Sequence, residues 1–407
     1  MLIKKIDLVS EFFLWVMAFG ITFSNAAVEV CVGFIIFLFF VKFILRLFKA
    51  DKEDPKGLNI NVFILIYFLV VFVTFLKGSF AGVYLNDLSR GLLRSVKYLL
   101  LFISLVDLLK DSLSRMRRLF WVIIWISLFT FFNGVFQNIF GFDILRQKTI
   151  NRQDSLNRIC SSFVHPNDFG AYIISVLPLS LVFLLRELKL RKRLLLILVF
   201  VLGFYCLIRT SSRGAWIGFL ISLVFFLFFY RRKLLFIVPV FIGLFILISP
   251  RGLERFISIF SLEGTSLERL QIWSGAWNMI KVHPLLGFGI NTYSNYFPKY
   301  KPPEYPDLCY AHNSYLQMWT EIGLIGLVAF LLILIIVVIS SIKVIRKKKL
   351  ESINDFILLG LLTGYISFLI QSFLDTNLFS LVLLTQFWLL TVFILCLSKF
   401  EKDNYAG

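Results

Sequence analysis

Two arginines and one histidine stand where polar chemistry is conspicuous. Arg213 lies in TSSRGAW, between two apolar runs separated by only a few polar residues. A guanidinium at a membrane boundary is costly unless it snorkels to the interface, pairs, or lines a wet cavity, so it fits either a helix-end snorkel or a binding role. Gly214 and Ala215 would let a substrate approach closely, and Ser211 and Ser212 can donate hydrogen bonds. Arg269 opens RLQIWSGAW, where Arg269, Trp273 and Trp277 are spaced four apart and share one helical face. That helix either rests on the membrane surface through its indoles or offers the bidentate fork of Arg269 to a phosphate. His312 sits in AHNSYLQMW, with Asn313 beside it and Glu321 further along the same segment. Histidine alone has an ordinary pKa, about 6.5, that lets it take a proton from a hydroxyl and release it near neutrality. A neighbouring arginine would disfavour its charged form and keep a base available. The competing reading of His312 is a residue that merely caps the following helix.

Other residues are weaker candidates. Arg90, Arg94 and Lys97 share one face of a helix near its outer end; snorkelling accounts for Arg90, while Arg94 and Lys97 could extend an anion-binding cavity. His283, in the Gly-rich HPLLGFG, and His165, before Pro166, read as loop and helix-opening turn. The five cysteines show no metal-ligand spacing, though Cys160 and Cys309 fall on the same expected side and could pair. Acidic residues on that side are scattered without a paired D-x-D arrangement, so neither a metal nor another cofactor is expected.

The elements that must position these groups are membrane helices. Of the 407 residues, 59% are hydrophobic and 16% charged, with 48 Phe, far from a soluble domain. The net charge of +18 comes as short clusters between apolar runs rather than on one face, which argues against nucleic acid. Runs of roughly 17 to 25 apolar residues are long enough to cross hydrocarbon, and about twelve are present. The first, Leu8 to Phe23, resembles a signal peptide, but a second run from Ala27 follows almost at once, which favours an uncleaved hairpin. With the N-terminus in the cytoplasm, the clusters KK, FKADK, RMRR, RKR, RRK, RKKK and the tail lysines all fall inside, as the positive-inside rule requires. Residues 1–249 then hold helices 1 to 9, residues 250–312 a large periplasmic loop, and residues 313–407 helices 10 to 12. Three polar segments, 141–168, 209–213 and 250–311, share the outer face.

TSSRGAW, RLQIWSGAW with HPLLGFG, and AHNSYLQMWTEIGLIG together resemble the O-antigen ligase and O-antigen polymerase superfamily. The resemblance covers roughly residues 150 to 330 by motif and the whole chain by topology. It implies an all-α polytopic membrane protein of the type C glycosyltransferase class, with a large helical periplasmic loop between helices 9 and 10. It further implies an undecaprenyl-pyrophosphate-linked glycan as donor and, as acceptor, lipid A core for a ligase or another glycan for a polymerase. By the same resemblance Arg213 and Arg269 hold the pyrophosphate and His312 activates the acceptor hydroxyl, in a metal-independent inverting transfer at the bacterial inner membrane. Ligase is the favoured reading; a polymerase, a protein O-oligosaccharyltransferase and, from another class, a lipid-linked sugar transporter are the alternatives.

Overall fold

The computed structural model describes residues 2–49, 61–80, 82, 84–150, 157–185, 188–249, 252–257, 265–303, 310–347 and 350–403. Among them the chain is helical, with no strand beyond an isolated bridge between Phe142 and Thr149. The N-terminal half holds α1 (Leu2–Gly20), α2 (Asn25–Lys49), α3 (Asn61–Phe80), α4 (Leu85–Leu109), α5 (Leu113–Phe140) and α6 (Pro166–Val176). Next come α7 (Leu190–Arg209), α8 (Arg213–Tyr230) and α9 (Val238–Ile248). The polar interval carries α10 (Gly252–Ile257), α11 (Thr265–Val282) and α12 (Tyr293–Tyr296), and the chain ends in α13 (Ser314–Arg346), α14 (Ile353–Gln371) and α15 (Leu381–Asp403).

Among the described residues the apolar runs fall in helices, and seven of these helices are long and apolar enough to cross a membrane. The others depart from that standard for visible reasons. α1 carries Lys4, Lys5, Asp7 and Glu11, α4 carries Arg90, Arg94 and Lys97, and α7 opens on Arg191, Lys192 and Arg193. α3 is apolar over Ile64–Phe80, and α9 is 11 residues long behind a 3-10 turn. Pro178, which cannot donate to the helical ladder, coincides with the change of α6 into a 3-10 turn over Leu177–Leu184.

Charge sorts the two ends of the bundle. At one end Lys42 Nζ lies 2.7 Å from both Asp7 and Asp107, Arg115 reaches Asp7 at 2.8 Å, and Arg118 grips both oxygens of Glu11 at 2.6 and 2.7 Å. Arg117 donates to Asn354, which donates to Glu401, so α14 and α15 join the same end. Buried charges without partners would be expensive; paired in this way they lock α1, α2, α4 and α5 in register. At the other end Gln137 of α5 and the α7–α8 turn meet the 157–162 segment, through Gln137 Oε1 accepting from Cys160 and Ser161 N–H and through Ile159 N–H donating to Arg209. Between the ends, α14 lies directly on α6: a Cβ on Gly364 would fall 2.0 Å from the Ser175 carbonyl oxygen. Small residues permit such close backbone approach where lipid supplies no hydrophobic drive between helices.

α13 is broken at Gly323, whose φ of 70° and ψ of −178° are closed to ordinary side chains. HPLLGFG fills the break. Phe288 and Gly289 N–H donate to the Thr320 and Glu321 carbonyls at 2.9 and 2.8 Å, while Leu324 N–H donates to Pro284 O at 2.9 Å. Backbone groups freed by the break are thus satisfied by a loop, the condition for irregular chain near a membrane. His283 packs edge-on against Phe288 in this loop, at 4.7 Å between ring centres.

Candidate active site

The α7–α8 turn is built tightly. Thr210 Oγ1 donates to Leu207 O, Ser211 takes φ 49°, and Trp216 Nε1 donates back to Leu207 O at 3.1 Å. The turn holds Arg213 at the first position of α8, half-buried. Gly214 does line the neighbouring cleft, but a Cβ there would also meet Leu374 at 3.3 Å and Gln371 at 3.4 Å. Ala215 is fully buried, and its methyl would lie 3.0 Å from a Cβ on Gly170. The smallness of these residues serves helix packing at least as much as access to a ligand.

α11 brings Arg269 to the same place. Trp273, one turn further on, donates from Nε1 to Ala311 O at 3.1 Å, beside His312. Ile272, Ala276 and Met279 pack with Phe288, Tyr293, Phe297 and Ala311 into a small apolar cluster beneath the helix. Of the two indoles expected to anchor the helix on a membrane surface, Trp273 is therefore a staple within the protein. Trp277 alone stays exposed, edge-on to Trp319. Arg269 is half-buried and, among the described residues, makes no hydrogen bond or ion pair.

His312 has φ 48°, a left-handed turn that redirects the chain before α13. Asn313 caps that helix, its side-chain oxygen accepting from Tyr315 and Leu316 N–H, both at 3.0 Å, so its side chain is engaged in capping. His312 Nδ1 lies 3.5 Å from Asp375 Oδ1, inside ion-pair reach but longer than a good hydrogen bond, and finds no other partner among the described residues. Asp375 belongs to the α14–α15 connection. Its Oδ2 accepts from Asn167 Nδ2 at 2.8 Å, its Oδ1 from Thr376 N–H at 2.9 Å, and its backbone carbonyl from Ser314 Oγ at 3.0 Å. Arg158 completes the row, donating from Nη2 to Asn167 Oδ1 at 2.6 Å and from Nε to Thr210 O at 2.7 Å. Burial alone would raise the Asp375 carboxyl, but the His312 contact and the charge of Arg269 outweigh it and hold the group below the usual aspartate range.

These residues surround one cleft of about 510 Å³, lined by Arg158, Asn167, Arg213, Arg269, Gln371 and Asp375 among others. Among the described residues its lining brings together three guanidinium groups and one carboxylate, the latter engaged with amide and imidazole. Guanidinium groups in such a cleft suit an anion, and the imidazole of His312 against the cleft-lining Asp375 has the chemistry to accept a proton.

The remaining candidates lie elsewhere. Lys97 pairs with Glu29 of α2 at 2.5 Å. Glu321 is buried, accepting from Asn291 N–H at 2.8 Å, and shares a separate cavity with Arg94. His165, at the start of α6, is pushed down mainly by burial and by Lys148, and is also influenced by Asp375 and His312. The disulfide considered for Cys160 involves Cys309, which lies outside the described residues. Asp375, Asn167 and Arg158 were not singled out in the sequence. The available signal was a lone acid in LDTN between two apolar runs, a place where an uncompensated charge is costly.

No curated protein matches the chain. Residues 198–331 match the family model described as O-antigen ligase. That interval contains Arg213, Arg269 and His312, so the part of the chain that carries the candidate site is similar to the O-antigen ligase family.

Proposed function

We propose that the protein is a glycosyltransferase of the O-antigen ligase type, moving a glycan from undecaprenyl pyrophosphate to a sugar hydroxyl of a lipid A core. The observation that carries this reading is the meeting of Arg213, Arg269 and Asp375 around one cleft, with His312 against Asp375. Pyrophosphate is already a good leaving group and needs its growing charge neutralised. Fixed cations do this, each worth roughly 2.7 to 4 kcal/mol by analogy with oxyanion sites. The acceptor oxygen attacks the anomeric carbon from the face opposite the pyrophosphate. As the new glycosidic bond forms, the bond to the phosphate oxygen breaks and its electron pair leaves with the pyrophosphate. The hydroxyl proton passes to His312 Nε2. Asp375 beside Nδ1 selects the tautomer that leaves Nε2 free and stabilises the imidazolium that forms. Inversion at the anomeric carbon follows from a single displacement.

The positive-inside rule supports a cytoplasmic position for the end of the bundle rich in ion pairs and a periplasmic position for the cleft, with both termini in the cytoplasm of the inner membrane. Purified protein given donor lipid and acceptor lipid, without ATP or added metal, should form the new glycosidic bond with inverted configuration. Retention of configuration, or no product with any acceptor, rejects the proposal.

A further inference from the structure

Between α3, α4, α13 and α15 lies a second cavity of about 660 Å³, walled by side chains such as Phe68, Phe330, Phe379 and Trp388. Its lining, mostly apolar and aromatic with a few polar groups, has the composition of a ligand site. Arg94, Tyr67, Asn291 and Glu321 supply polar groups to its lining. Glu321 is committed, with one oxygen accepting from Asn291 N–H at 2.8 Å and the other from the Gln317 amide at 3.3 Å. Arg94 and Tyr67 are not: among the described residues neither the guanidinium nor the phenol hydroxyl makes a hydrogen bond or ion pair. Arg94 also lies well inside α4, roughly 14 Å along the axis from its first residue. A guanidinium at such a place, with an apolar wall beside it, is expensive unless an anion or water meets it.

We propose that this cavity binds a membrane lipid with a singly charged phosphodiester head. Arg94 and the Tyr67 hydroxyl take the phosphate oxygens, and the aromatic wall takes an acyl chain. The apolar lining is poorly matched to free phosphate. Glu321 beside Arg94 limits the head to one negative charge, because a more highly charged pyrophosphate would face the carboxylate as well as the arginine. The site is distinct from the Arg213–Arg269 cleft, and the inference stands whether or not that cleft transfers a glycan.

The test uses the full-length protein, delipidated in detergent, mixed with phosphatidylglycerol or phosphatidylcholine and examined by native mass spectrometry. Wild type should retain one phosphatidylglycerol in preference to phosphatidylcholine, and excess inorganic phosphate should not displace it. Arg94→Gln should lower retention about tenfold, equivalent to about 1.4 kcal/mol. Among the described residues Arg94 makes no hydrogen bond or ion pair, so this change leaves no hydrogen-bonding group unpaired. Ser95→Phe, which narrows the cavity while keeping the arginine, should lower retention as well. Arg269→Ala should leave retention unchanged, which separates this site from the proposed donor cleft. Equal retention of both lipids, undiminished retention by Arg94→Gln, or displacement by phosphate alone overturns the proposal.

Discussion

In the proposed reaction His312 and Asp375 divide the work of one base. His312→Ala should lower transfer on the order of 10²–10⁴-fold, the usual worth of general-base catalysis, while donor binding measured separately persists. Parallel loss of binding would make the histidine structural. Asp375→Asn should lower kcat with little change in the affinity for donor, because an amide no longer stabilises the imidazolium. The same variant probes stability. The Asp375 carboxyl is depressed in the folded protein, so its contribution is fully present above the ordinary aspartate pKa of about 3.9 and is lost as pH falls through the lower folded value. Thermal unfolding followed against pH should show an acid-dependent loss in wild type that is smaller in Asp375→Asn. Arg269→Lys keeps the charge but loses the fork, and kcat/KM should fall at least tenfold. Near-normal turnover would remove Arg269 from pyrophosphate binding.

α11 acts at the next scale, as the element that carries Arg269 to the base. The Trp273–Ala311 hydrogen bond ties it to the segment that leads into α13. Trp273→Phe removes a bond worth about 1 kcal/mol and leaves a buried carbonyl unpaired. A displacement of about 1 Å of a positioning group can cost 10²-fold in rate, so turnover should fall far more than stability. Trp277→Phe is the control: that indole is exposed, and its change should leave kcat/KM within about twofold. Equal effects of the two substitutions would mean that α11 is not held to the site by Trp273. Helix packing makes its own demand at Gly364, where Val would drive a side chain into the Ser175 carbonyl. That variant should unfold several degrees below wild type or fail to accumulate.

At the scale of the molecule, two ends of different chemistry follow from one bundle. The ion pairs of Asp7, Glu11, Lys42, Asp107, Arg115 and Arg118 gather at one end and the arginine-lined cleft at the other. In a background lacking the native cysteines, Arg269→Cys and His312→Cys should react with a membrane-impermeant thiol reagent from the periplasm. Lys347→Cys, just beyond α13, should react only after the membrane is opened. Labelling in the reverse order would invert the topology and end the proposed reaction.

Apolar run length and the placement of charge were enough to reveal a helical membrane protein, its approximate helix boundaries, and the two arginines and histidine as its unusual residues. Spacing along the chain also put Arg269 and Trp273 on one helical face. That Trp273 is a staple, that Asn313 is a cap, and that Arg94, Lys97 and Glu321 stand outside the cleft were matters for the tertiary structure. So was the row from Arg158 through Asn167 to Asp375 and His312. The reason is physical. Periodicity constrains neighbours within one helix, whereas Asn167 and Asp375 are 208 residues apart and meet only because α6 and α14 pack closely enough to bring their ends together.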